Sequence, residues 1–338
     1  MPDEPLRHRV IRYNRRMLSE FDLIKRYFTR APESSARVGL GIGDDCALLR
    51  PAPGSELAIS TDMLVEGRHY FAGTDPESLG HKSLAVNLSD LAAMGATPVA
   101  FSLALALPDA DPTWLDGFSR GLLALADASG CTLIGGDTTR GPRTICITVY
   151  GDVPAESALR RNAARPGDDV WISGTLGDAR LALGACLEEY ALDAVQLAQA
   201  GQRLHRPTAR LALGLALRGI AHAAIDVSDG FIGDFGQVLA QSACGASIDV
   251  DALPLGPVLQ LQARALQRTC ALAGGDDYEL CFTAPAGRRA AVLAAGRASA
   301  TPVTRVGSIE VEPGLRLHDG AGNPLQLSVQ SFDHFQSP

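Results

Sequence analysis

Apolar residues recur with two different periods along this chain, and the switches between them predict its elements. Leu23, Ile24, Tyr27 and Phe28 fall at helical spacing behind Ser19, a capping residue. "SELAISTD" (55–62) reads as a short strand that ends in polar residues. "PESLGHKSLAVNLSDLAAMGATP" (76–98) returns to helical spacing. Leu84, Leu88 and Leu91 share a face, Gly95 supplies a left-handed stop and Pro98 forbids much continuation. "WLDGFSRGLLALADASG" (114–130) is a further helix, followed by the strands "CTLI" (131–134) and "RTICITVYGDV" (143–153).

"RRNAARPGDD" (160–169), rich in Arg, Pro and Gly, breaks the chain in two. Beyond it come the strand "DVWISG", a helical stretch to about 220, "AHAAID", another helix, "ASIDV" and "YELCFT". Strands and helices mix without strict alternation, so the expected fold is two α+β domains. The expected boundaries are a flexible tail over 1–18, a first domain over 19–155 and a second over 156–338. Met17, just ahead of the first amphipathic run, is a candidate natural start.

The length of 338 residues suits two domains of ~150 each. No apolar run approaches the ~18 residues of a membrane span. A net charge of −8 argues against nucleic acid and anionic membranes, which select clustered Lys and Arg. The seven cysteines are scattered and never spaced C-x-x-C, the usage of a reducing cytoplasm. The histidines form no H-x-x-x-H pair, which counts against zinc.

Candidate chemistry begins at "GLGIGDDCALL" (39–49). Its glycines would admit a phosphate to the backbone, yet Asp44 and Asp45 would repel one. The stretch is not a dinucleotide fingerprint, because Asp-Asp and Pro51 follow where a helix is required. "GTDPESLGHKS" fails as a P-loop, with His81 before Lys82 and the wrong glycine gap. "DVSDGF" fails as a calcium loop, having Gln237 where the twelfth-position Glu belongs. What recurs is a short apolar run ending in a small residue and then Asp: "GIGDD", "ISTD", "LIGGD", "AIDVSD" and "LAGGDD". Asp90 joins them from inside the Leu-rich helix, beside Asn87. Each alone reads as an ordinary turn or cap. Converging, such carboxylates would repel by about 4 kcal/mol per pair at 4 Å and an effective dielectric of 20, so cations would have to hold them. Oxygen ligands without His or Cys select Mg²⁺ or Ca²⁺, and Mg²⁺ shares its shell with substrate phosphates. These residues therefore point to a magnesium-dependent, nucleotide-using enzyme.

In this order, "GIGDDCALL", "ISTDMLVEGRHY", "KSLAVNLSDLAAMGATP", "IGGDTTRG", "AIDVSDGF" and "GGDDYELCFT" resemble the thiamine-monophosphate kinase family. That family belongs to the superfamily of aminoimidazole ribonucleotide synthetase and selenophosphate synthetase. The resemblance runs from "EFDLIKRYF" to "FDHF", nearly the whole chain. It implies ATP-dependent phosphorylation of thiamine monophosphate to thiamine diphosphate by direct transfer, with several Mg²⁺ ions. It also implies a homodimer formed through the N-terminal domains and an active site in the cleft between domains. Carried over by motif, Asp45, Ser60, Thr61, Asp62, Asp90, Asp137, Asp226 and Asp229 would be metal ligands. Gly136, Asp137, Arg161 and Ser228 would contact ATP, and His69, Asp276 and Phe332 the thiamine phosphate. The family's second acidic signature usually reads Gly-Gly-Glu-Asp; here Asp276 is one methylene shorter. The one hint of a dimer in the residues themselves is the apolar alternation at Ile145, Ile147 and Val149. Two alternatives stay open: another ATP-dependent enzyme of the superfamily, or a non-catalytic metal-binding module.

Overall fold

The computed structural model describes residues 19–30 and 36–326. A helical turn over Glu20–Leu23 runs on as Ile24–Phe28, burying Tyr27 and Phe28. The glycine segment forms a small hairpin, β1 (Val38–Leu40) with β2 (Leu48–Leu49). The first half is then a four-stranded sheet of β3 (Ser55–Val65), β4 (Thr97–Leu107), β5 (Thr132–Arg140) and β6 (Thr144–Pro154) in the order β3-β6-β4-β5. Only the β4–β5 pair is parallel. β4 is an almost unbroken apolar run after Pro98, and the helical signal ahead of it hides its start. It is the one strand of this sheet that the periodicity did not single out.

Two long helices, Pro76–Ala93 and Pro112–Ser129, pack together and cover one face of this sheet. Each begins with a capping Asp and a Pro in its first turn. They approach so closely that a Cβ on Gly121 would lie 1.8 Å from the Glu77 carbonyl oxygen. Gly80, the second glycine of the rejected P-loop stretch, meets the Phe118 carbonyl at 2.1 Å and serves the same contact. Gly95 takes the left-handed conformation (φ +63°) expected of a helix stop.

The second half is a six-stranded sheet of β7 (Asp168–Ser173), β8 (Ala223–Asp226), β9 (Gly245–Asp249), β10 (Leu280–Pro285), β11 (Val303–Glu310) and β12 (Gly314–His318). Its order is β12-β9-β11-β7-β10-β8. The helical stretch to about 220 is three pieces, Asp178–Cys186, Ala194–His205 and Leu211–Ala216, broken where caps and turns intervene. Each half has its own apolar core. A third cluster joins Ala92 and Ala93, at the end of the Pro76–Ala93 helix, to Trp171, Leu213, Leu280 and Phe282 of the second half. One helix is thereby embedded in both halves. The chain is α+β in both, as its pattern predicts.

The alternation at Ile145, Ile147 and Val149 has a different meaning from the one expected. All three are fully buried in the chain's own first core, so they are not a face for a partner. The large apolar residues that remain exposed in this sheet are on β3, where Ile59 is 59% and Met63 55% exposed.

Candidate active site

A cavity of about 810 Å³ lies between the two halves. β3 contributes Thr61 and Asp62, and the loop after it Arg68 and His69. The Pro76–Ala93 helix contributes Lys82, Val86 and Asp90, which at i, i+4 and i+8 share one helical face. The second half contributes Asp226, Ser228 and Asp229 from the end of β8, and Gly275, Asp276 and Tyr278 from the turn before β10. Eight residues singled out in the sequence thus line one space: Thr61, Asp62, His69, Asp90, Asp226, Ser228, Asp229 and Asp276.

The "NLSD" run is the joint that assembles them. Asn87 is fully buried, and its Oδ1 accepts the Asp62 backbone N–H at 3.1 Å, which registers the helix on β3. Ser60 Oγ donates to Asp90 Oδ2 at 2.5 Å. Ser89 Oγ donates to Asp226 Oδ2 at 2.7 Å, tying the same helix to the second half. On the far side, one oxygen of Asp234 accepts the backbone N–H groups of Ser228, Asp229 and Gly230 at 3.0, 3.0 and 3.1 Å. That single carboxylate shapes the "VSDG" turn. Its place one helical turn after the motif hid its role in the sequence.

Burial, reinforced by the charges of Asp90 and Asp229, pushes the Asp62 carboxyl up to about 7. Burial likewise pushes Asp226 up to about 8, with Asp90 the largest charged contributor. Asp90 is raised by burial, against the opposing pull of the Ser60 hydroxyl and the Arg161 charge. Among the described residues, no three His, Cys, Asp or Glu side chains close on a point as a finished metal cage. The carboxylates that line the cavity offer oxygen donors and raise one another by their charges. Such a donor set fits Mg²⁺, which keeps waters and substrate phosphates in its shell, better than a metal caged wholly by protein.

Ser60 and Arg161 stand next to this cluster through Asp90, outside the cavity lining. His69 Nδ1 accepts the Val65 backbone N–H at 3.0 Å, so the neutral ring carries its proton on Nε2. Asp45, Gly136 and Asp137 lie elsewhere. Asp45 is exposed in the glycine segment, and Gly136 and Asp137 are on β5, the sheet edge opposite β3. Asp62 pairs with Ile147, Ile147 with Leu103 and Leu103 with Gly136. Three strand spacings, about 14 Å, therefore separate Asp62 from the Gly136 position. Phe332 lies outside the described residues.

Sequence reasoning missed Lys82, Tyr278, Arg180 and His205, which also line the cavity. Lys82 was within reach of it, being on Asp90's helical face. Tyr278 had no such signal, because its position depends on a turn in which both Asp276 and Tyr278 have positive φ.

The AIR synthase related protein models match this chain over 43–153 (N-terminal domain) and 165–320 (C-terminal domain). Thiamine-monophosphate kinase of Salmonella typhimurium is 46% identical over 327 residues, spanning 94% of this chain and 99% of that protein. The crystal structure of thiamine-monophosphate kinase from Stenotrophomonas maltophilia K279a superposes with a TM-score of 0.80. It has 45% identity and covers 86% of this chain and 93% of that one. AaThiL complexed with AMPPCP and TMP superposes with a TM-score of 0.73 at 29% identity, covering 94% and 97%.

Proposed function

This chain belongs to the thiamine-monophosphate kinase family of AIR synthase related proteins, and from that premise we propose how its cavity carries out the transfer. The enzyme uses ATP to phosphorylate thiamine monophosphate, giving thiamine diphosphate and ADP. The observation that carries the reading is the convergence of Asp62, Asp90, Asp226 and Asp229 on one cavity beside Ser228 and His69.

Asp62, Asp90, Asp226 and Asp229 would hold Mg²⁺, with Ser60 and Thr61 beside them, and the metal would supply the positive charge that lets the phosphates of donor and acceptor approach. Ser228 and Arg161 position ATP, and His69 and Asp276 position the acceptor. The acceptor is a phosphate monoester with a second pKa of about 6, largely ionised near neutral pH, so no side chain has to remove a proton. The chain's contribution is orientation for in-line transfer, with no covalent intermediate on the protein.

Asp45, Gly136 and Asp137 enter this scheme through a homodimer. β3 and β5 are the two edges of the four-stranded sheet, and the outward face of β3 is apolar at Leu57, Ile59 and Met63. A second copy that set its β5 edge beside this β3 edge would bring its own Asp137 toward Asp62. The enzyme is placed in the cytoplasm, in keeping with seven free cysteines. Among the described residues no helix is long and apolar enough to cross a membrane.

Incubation with ATP, Mg²⁺ and thiamine monophosphate tests the reading, with chromatography of the products. One thiamine diphosphate per ADP is expected. Free phosphate formed in step with turnover, or activity only on another acceptor, would overturn it.

A further inference from the structure

Lys82 is a buried ammonium in a cavity that five Asp side chains also line. Its side chain is only 5% exposed, and its Nζ donates to Asp276 Oδ1 at 2.6 Å, from the first half of the chain to the second. The Tyr278 hydroxyl reaches the same oxygen at 3.3 Å. Among the described residues no hydrogen bond is made to Asp276 Oδ2, and Asp276 lines the cavity. The backbone is fixed as well: Asp276 has φ +64°, and its N–H donates to the Ser228 carbonyl at 2.8 Å. A buried ion pair adds little net stability, because desolvating both charges offsets their attraction. What this pair does supply is orientation.

We propose that Lys82 is a positioning residue for the acceptor: with Tyr278 it holds one oxygen of Asp276 and turns the other toward the acceptor's cationic ring. The inference rests on thiamine monophosphate being the acceptor. That molecule carries a phosphate at one end and a thiazolium cation in its body. Its phosphate must reach the carboxylate cluster around Asp90, where the donor phosphates are held. Lys82 is eight residues, or about 12 Å of helix, before Asp90. The ring therefore extends toward the Lys82 end, where a bare ammonium would repel it. Paired with Asp276, the ammonium is neutralised, and the open carboxylate oxygen meets the ring's positive charge.

The test is a double-mutant cycle of Lys82→Met and Asp276→Asn on the full chain with saturating Mg²⁺. Lys82→Met should raise the KM for thiamine monophosphate about tenfold while the KM for ATP moves less than about twofold. The double variant should be no worse than the worse single one, since both changes remove the same contact. An unchanged KM for thiamine monophosphate, equal rises in both KM values, or additive effects in the double variant would overturn the proposal. Lys82→Ala carries the same test if the Met variant does not fold, whereas Lys82→Gln, which can still donate to Oδ1, should keep the KM for thiamine monophosphate closer to wild type than either. Wild-type protein keeps the two readings apart. Failure of the wild type to turn over thiamine monophosphate defeats the acceptor assignment. Normal wild-type turnover with a Lys82→Met variant at wild-type KM defeats only the role of Lys82.

Discussion

Two regions of this molecule bury carboxylates, and they treat them in opposite ways. Behind the cavity, Glu279 is fully buried and receives Arg203 Nη2 at 2.8 Å, both Nε (2.6 Å) and Nη2 of Arg210, and the Ser173 hydroxyl at 2.6 Å. Asp169, on β7, is held below the usual carboxylate range by its hydrogen bonds with Arg289 and Arg305. In the cavity, Asp62 and Asp226 have carboxylate neighbours and, among the described residues, no guanidinium hydrogen-bonded to them, and both are pushed up. The first arrangement is finished within the chain. The second is left for a cation from outside, and a region that binds a metal with its substrate has to be left so.

Removing a carboxylate from the unfinished region should have the largest effect on activity. Asp62→Asn or Asp90→Asn is expected to keep the fold and lower kcat by at least about a hundredfold, because an amide cannot neutralise a metal ion. Near-normal turnover of either variant at low Mg²⁺ would remove these residues from the metal site. The finished region should respond in stability. Glu279→Gln strands two guanidinium groups and should cost about 3–5 kcal/mol of unfolding free energy, read from urea denaturation. A loss under about 1 kcal/mol would show the Arg cluster to be solvated instead.

The two regions also differ in their response to pH. Asp62 binds its proton in the folded, metal-free chain up to about pH 7, whereas an unfolded Asp releases it near 3.9. Its contribution is present in full below pH 4 and lost as pH rises through 7. Asn does not titrate, so the Tm of Asp62→Asn minus that of wild type should grow from pH 5 to 8.5 without metal. Saturating Mg²⁺ should reverse the sign, since it stabilises the wild type more. A metal-free difference that is flat across this range would show that Asp62 is ionised throughout. The smallest effect is expected at Asp276, which belongs to both regions, with one oxygen paired and one open. Asp276→Glu should lower the KM for thiamine monophosphate about threefold, roughly 0.6 kcal/mol, by reaching the acceptor without a bridging water. Equal changes in the KM for ATP would count against a substrate contact.

Much of this was legible in the one-dimensional pattern. Leu84, Leu88 and Leu91 fix the buried face of the Pro76–Ala93 helix, Gly95 ends it, and small residues before Asp mark most of the cavity's carboxylates. These are local properties, set by a residue's own conformational limits and its neighbours three or four places away. Tertiary structure alone decided which carboxylates were to be neutralised. Glu279 follows "GGDDY" and looks like one more acidic turn residue, yet Arg203 and Arg210, some seventy residues earlier, complete it. Asp234 likewise gains its role only because three backbone N–H groups fold onto it. Ile145, Ile147 and Val149 alternate as a strand must, but alternation does not say which face is covered. The strand order put Asp137 and Asp62 at opposite edges of one sheet, although their motifs read alike. The sequence determined which groups could carry charge, metal and phosphate. Distance and burial decided which of them meet, because electrostatic energy depends on separation and solvent and not on position along the chain.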